Sequence, residues 1–81
     1  MIEFDYSSLI GFVYSNEKLR TKGGLAKYLG ITHQAISNKF NGKVPFHSYE
    51  IMKIRIDFNL TDEQVGRYFF TPKLQKVNTG E

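Results

Sequence analysis

The sequence predicts an all-α fold, a compact bundle of five short helices in one domain. Three observations lead there. Apolar residues recur at intervals of three and four along most of the chain, which is the spacing of helix faces. No segment shows a convincing alternation of polar and apolar residues. The cap and stop residues Thr21, Gly30, Thr32, Asn41-Gly42, Thr61 and Pro72 divide the pattern into short pieces.

The first helix is expected from Asp5, as its N-cap, to about Asn16, with Tyr6, Leu9, Ile10 and Val13 forming one apolar face. Gly11 weakens it by about 1 kcal/mol relative to alanine. Either tertiary packing compensates or another helix needs close approach there. Thr21 caps a second helix over Lys22 to Leu29, whose Leu25, Ala26 and Leu29 turn inward, and Gly30 ends it because glycine takes the left-handed conformation without strain. Thr32 opens a third helix from His33 to about Phe40, with Ile36 and Phe40 inward and Asn41-Gly42 as its stop.

A loop around Pro45 follows, and the fourth helix starts at His47 or Ser48, places Ile51, Ile54 and Phe58 on one face, and ends at Asn59. Thr61 to Gln64 has the form of a capping box for a fifth helix carrying Val65, Tyr68 and Phe69, stopped by Pro72. Residues 1–72 are thus read as the folded domain and 73–81 as a flexible C-terminal tail. Tyr68 to Leu74 is aromatic enough to become a short C-terminal strand.

Composition narrows the function classes. The chain has 81 residues, of which 41% are hydrophobic, enough for one modest core. It has no cysteine, so disulfides and thiolate metal sites are excluded and a reducing cytoplasm is its natural setting. No apolar run reaches the roughly 20 residues of a membrane-spanning helix, and no membrane partner is expected. The two histidines, His33 and His47, stand alone without clustered carboxylates, and no nucleophile elbow, phosphate loop or carboxylate pair occurs. The reading is a protein that is not an enzyme, with no metal, no catalytic residue and no cofactor.

The formal net charge of +3 is unevenly spread. Between Glu17 and Glu50 lie Lys18, Arg20, Lys22, Lys27, Lys39 and Lys43 with no Asp or Glu, so this segment carries six positive charges and the remainder a net −3. A surface that meets phosphates requires this absence of carboxylates. Inside the segment, Thr21 to Gly42 holds two short helices around a glycine turn, a helix-turn-helix spacing. Ala26 is the small residue for close helix approach, Gly30 the turn and Ile36 the anchor of the second helix. Turning these inward leaves hydrogen-bonding residues outside on the third helix.

The run LAKYLGITHQAISNKFNG, residues 25–42, resembles the lambda-repressor and Cro family of phage and bacterial regulators. The flanking FDYSSLIG and YFFTPK are similar to short phage proteins of Gram-positive hosts, and the whole resemblance spans about Phe4 to Lys76. It implies a lambda-repressor-like bundle whose third helix enters the major groove while the second lies against the backbone. It further implies a Cro-like repressor of a phage lysis/lysogeny switch, acting in the bacterial cytoplasm as a homodimer on double-stranded operator DNA.

Carried over residue by residue, the resemblance puts His33, Gln34, Ser37 and Asn38 at base-reading positions. Gln34 and Asn38 are suited to adenine N6 and N7, each such pair being worth roughly 1–3 kcal/mol of discrimination. Thr21, Lys22, Thr32, Lys39, Asn41 and Lys43 fall at the DNA backbone, with Lys39 also able to reach guanine. Gly23-Gly24 departs from the family's polar, helix-favouring residues. The pair either lets the backbone approach a phosphate or leaves the helix start frayed.

The aromatics read mostly as core. Phe69 and Phe70, being adjacent, point about 100° apart on a helix and cannot both enter one small core easily, so one is expected to protrude. Both are candidate dimer contacts, and a two-fold dimer matches half-sites one DNA turn apart. A second function class is a protein-interaction module, an antirepressor that binds another phage repressor through its exposed aromatic end.

Overall fold

Five α-helices follow one another along residues 3–73, the part of the chain that the computed structural model describes: α1 (Ser7–Ser15), α2 (Lys22–Leu29), α3 (His33–Phe40), α4 (Ser48–Asp57) and α5 (Asp62–Phe69). Their starts are written in the cap residues. Thr21 Oγ1 accepts the Gly24 amide at 3.0 Å, Thr32 Oγ1 accepts the Ala35 amide at 3.0 Å, and Thr61 with Gln64 forms a reciprocal capping box. Each cap satisfies an amide that the helix itself cannot pair. Gly30 ends α2 in the left-handed region at φ 74°.

Asp5 is not the N-cap expected of it: it stands one residue before Tyr6, which holds that position. Its Oδ1 accepts the Ser7 amide at 2.8 Å and the Ser7 hydroxyl at 2.6 Å, while the regular helix begins only at Ser7. A methyl group at Gly11 would meet nothing within 4 Å, so no helix approaches there. The cost of that glycine is carried by Leu9 and Val13, which are fully enclosed on either side of it.

The core runs from Tyr6, Leu9 and Val13 through Leu19, Leu25, Ala26 and Ile36 to Phe46, Ile54, Leu60 and Phe69. Helix α1 packs on α2 and α5, α2 on α3, and α4 on α5. Two aromatic clusters fill the gaps between layers. Phe46 meets Tyr6, Phe40 and Phe69, and Phe12 meets Phe58 and stacks on Tyr68 at 5.0 Å.

No strand forms among the described residues. The strand-prone segment contributes one antiparallel bridge, Phe4 to Pro72, with Asp5 N–H donating to Thr71 O and Lys73 N–H to Glu3 O, both at 2.7 Å. Leu74 and nearly all of the expected tail lie outside the described residues.

Gly24 has a packing role that neither sequence-based reading of the glycine pair anticipated. Arg20 sits at φ 67° and the Thr21 amide donates back to Leu19 O at 2.7 Å, a tight turn that aims the Leu19 carbonyl at α2. A Cβ on Gly24 would lie 1.8 Å from that oxygen, whereas one on Gly23 would make only ordinary contacts at 3.6 Å. In urea unfolding, Gly24→Ala is therefore expected to lose about 1–3 kcal/mol or more. Gly11→Ala is expected to gain about 0.5–1 kcal/mol, because its helix position is open.

On the far side of α2, the Tyr28 hydroxyl donates to Asp57 Oδ2, and Lys53 lies 3.3 Å from the same oxygen. The Tyr28 hydrogen bond, then Lys53, holds the Asp57 carboxyl below its ordinary value of 3.8. A carboxyl depressed by folding stabilises above its unfolded pKa and loses that contribution as pH falls through the folded one. Melting temperature is thus expected to drop as pH falls below about 4, and Tyr28→Phe to flatten part of that drop in a thermal scan series.

Candidate nucleic-acid interface

The outward side of α3 is set by what its inward side must do. Ile36 is fully enclosed and Phe40 half-buried against Tyr6 and Phe46, which leaves Gln34, Ser37, Asn38 and Asn41 along the other side of the helical period, with His33 exposed in the first turn at the edge of that side. All five are hydrogen-bonding residues, and none is a Lys, Arg, Asp or Glu. His33 and Gln34 are exposed, Ser37 and Asn38 are half-buried, and Asn41 at the helix end is exposed.

Gln34 and Asn38 are joined to each other. The Gln34 Nε2 donates to Asn38 Oδ1 at 3.2 Å, one turn apart, so the two amides are tied to each other. Gln34 Oε1 and Asn38 Nδ2 take no part in that bond and stay available to a ligand as an acceptor and a donor group. The residue types alone did not disclose this pairing, although their four-residue spacing permits it.

Helix α2 adjoins this face at its start. The His33 ring lies beside Gly23, where a methyl would touch its Cδ2 at 3.6 Å. With the Gly24 amide taken by Thr21, the Lys22 and Gly23 amides are the ones that helical geometry cannot pair. The helix dipole favours an anion at that point. Lys22 is half-buried, with Nζ 5.6 Å from the centre of the Phe40 ring. Thr21 and Thr32 are exposed, but each hydroxyl oxygen already serves its own helix as a cap. Lys43 is exposed in the loop, its amide bonded to Asn38 O at 2.9 Å.

Lys39 is not where the sequence reading put it. Its ammonium is buried, 4% exposed, 3.1 Å from Glu50 Oε1 and 3.0 Å from Pro45 O, and it lies over the Phe46 ring at 5.6 Å. It contacts neither guanine nor phosphate from there. A signal was present in the period: position 39 falls on the side away from 33, 34, 37, 38 and 41. Five cations remain, Lys18, Arg20, Lys22, Lys27 and Lys43. Among the described residues none of these five forms an ion pair.

Phe69 is also corrected. It is 1% exposed, packed edge-on against Phe46, and cannot contact another molecule. Phe70 is the residue that protrudes, although its ring rests edge-on against Phe4 at 5.8 Å. Among the described residues no three His, Cys, Asp or Glu come together to hold a metal, and no helix is long and apolar enough to cross a membrane.

A family model described as "Protein of unknown function (DUF739)" matches residues 2–72. The chain belongs to that family. Comparison with curated proteins gives no match. The DUF739 span takes in all five helices and reaches Pro72, where the bridge to Phe4 closes the bundle. The DUF739 unit is therefore the entire bundle rather than the α2–α3 pair alone.

Because α3 is tied to α4 through Lys39 and Glu50, removing one partner strands a buried charge. Glu50→Ala is expected to cost about 3–5 kcal/mol in chemical denaturation. The double variant Lys39→Met with Glu50→Leu should recover most of that loss, since an apolar pair leaves no charge unpaired.

Proposed function

We propose that this protein is a sequence-specific double-stranded DNA-binding regulator of the lambda-repressor and Cro type, with α3 as its major-groove reader. The observation that carries the reading is the outward side of α3. Four hydrogen-bonding side chains, His33, Gln34, Ser37 and Asn38, lie outward on a helix inside a segment that has five cations besides the buried Lys39 and no Asp or Glu between Glu17 and Glu50. Bases are read by such groups, and phosphates are met by the surrounding charge.

In this reading the Gln34–Asn38 amide pair faces one adenine, using the acceptor and donor that its internal bond leaves free. The Lys22 and Gly23 amides meet a phosphate at the start of α2, and Lys43 with Asn41 meets another beyond α3. The biological role is that of a Cro-like repressor of a phage switch, working as a homodimer on operator half-sites in the host cytoplasm. The resemblance of residues 25–42 to that family supports the role.

Selection of bound sites from random duplexes, followed by titration of the recovered site, tests the reading. Gln34→Ala and Asn38→Ala are each expected to weaken binding by about 1–3 kcal/mol and to relax preference at one base pair. Their effects should be strongly non-additive, because each breaks the same amide pair. Lys43→Ala should weaken all sequences equally and lower the slope of log K against log salt by roughly 0.9. Recovery of no preferred sequence, or binding indifferent to salt, contradicts the proposal.

A second reading, an antirepressor that binds another repressor, is favoured by the half-exposed Phe70 ring. It makes the opposite forecast. Phe70→Ala would abolish its effect and the α3 variants would leave it unchanged.

A further inference from the structure

Asn41 and Gly42, which close α3, form the one Asn-Gly step in the sequence. Both residues are exposed, and the Asn41 side chain takes part in no hydrogen bond among the described residues. Other asparagines are differently placed. Asn16 Oδ1 accepts the Lys18 amide at 2.8 Å, and Asn38 Oδ1 is held by Gln34. Asn59 is exposed, but Leu60 follows it with a buried side chain.

An asparagine carboxamide is open to attack by the backbone nitrogen of the residue after it, and a side chain on that residue crowds the approach. Glycine has none. The space around Gly42 is open as well, since a Cβ built there would meet nothing within 4 Å. We propose that Asn41 is a self-modification site, which deamidates without an enzyme to aspartate and isoaspartate and so places a carboxylate at the end of α3.

Water is the only co-reactant. The Gly42 nitrogen bonds to Asn41 Cγ, and the side-chain nitrogen leaves as ammonia with the proton that Gly42 gives up. Water then opens the cyclic imide. Attack at Cγ gives aspartate, and attack at the backbone carbonyl carbon gives isoaspartate, whose chain runs on through the side-chain carbon. Nothing is oxidised or reduced.

The residue pair chooses the site, and the fold sets the rate. Asn41 has ψ 0° and the Gly42 N–H donates to Lys39 O at 3.2 Å, so in the closed conformation the nitrogen is not in line with Cγ. Attack needs a rotation of ψ that gives up this bond, at a helix end, where local opening is least costly.

The product works against its surroundings. Its carboxylate enters the stretch between Glu17 and Glu50 that has no Asp or Glu, close in the chain to the exposed Lys43. It also stands at the C-terminal end of α3, where the helix dipole disfavours a negative charge. Isoaspartate further lengthens the chain before Lys43, whose amide bonds to Asn38 O at 2.9 Å. The surface proposed to meet DNA thus loses affinity as the protein ages. Only this consequence rests on the DNA-binding reading; the conversion itself does not.

The test ages the folded protein in warm neutral buffer, then maps its peptides by mass spectrometry and by labelling with an isoaspartyl methyltransferase. Isoaspartate is expected at Asn41 well before Asn16, Asn38 or Asn59, and sooner in guanidinium than in buffer. Asn41→Gln, shown to be folded by circular dichroism, should form none at that position. Against the selected duplex, aged wild type and fresh Asn41→Asp should both bind more weakly than fresh wild type. Their slope of log K against log salt should be smaller by roughly 0.9, as one cation is neutralised. Aged Asn41→Gln should bind as it does when fresh. No isoaspartate at Asn41 in the folded chain, or conversion as fast at Asn38, overturns the proposal, and so does converted protein that binds the duplex like fresh protein. Because the mapping contains no DNA, a fresh protein that binds no duplex sinks the DNA-binding reading and leaves the conversion to stand or fall on the map.

Discussion

The arrangement of this small bundle turns on one buried ion pair, Lys39 with Glu50. Both groups are almost fully enclosed, at 4% and 1% exposure, and each has a second partner. The Lys39 ammonium donates to Pro45 O, and Glu50 Oε1 accepts the His47 amide at 2.8 Å. Four polar groups from the end of α3, the connecting loop and the start of α4 are thus satisfied together, with Phe46 seated beneath them. A buried pair of this kind adds little net stability over an apolar pair of the same size. What it constrains is geometry, because in this arrangement both charges are compensated by holding Pro45 and His47 of the loop against them.

That geometry shapes the surface on which the functional proposal rests. Drawing Lys39 inward removes the one full positive charge carried on α3 itself, so the outward side of that helix presents amides, a hydroxyl and an imidazole. Charge is left to the neighbouring segments, Lys18 to Lys27 before it and Lys43 after it. Division of labour between neutral base-reading groups and cationic backbone groups is how protein–DNA interfaces combine specificity with affinity.

Much of this was legible in the sequence where the cause is local. The spans of α2 and α3 follow from Thr21, Gly30 and Thr32, because a cap or a left-handed glycine acts within one turn. The capping box of α5 follows likewise. What escaped was set by residues distant in sequence. Lys39 reads as an exposed cation until Glu50, eleven positions on, is brought against it. Gly24 reads as a helix weakness until the Leu19 carbonyl arrives from the preceding turn. Phe69 and Phe70 were recognised as unable to share the core, but only the packing of Phe46 decides which one enters it.

The central claim, that α3 and the start of α2 form the surface that meets DNA, is tested most directly by mapping amide chemical shifts of the isotope-labelled protein during titration with a duplex recovered by selection. The account predicts perturbations concentrated at Lys22 to Gly24, His33 to Asn38 and Asn41 to Lys43, with Gly11 and the α1 residues around it unmoved. Perturbations centred instead on Phe70 and α5, or none at any duplex concentration, would contradict it.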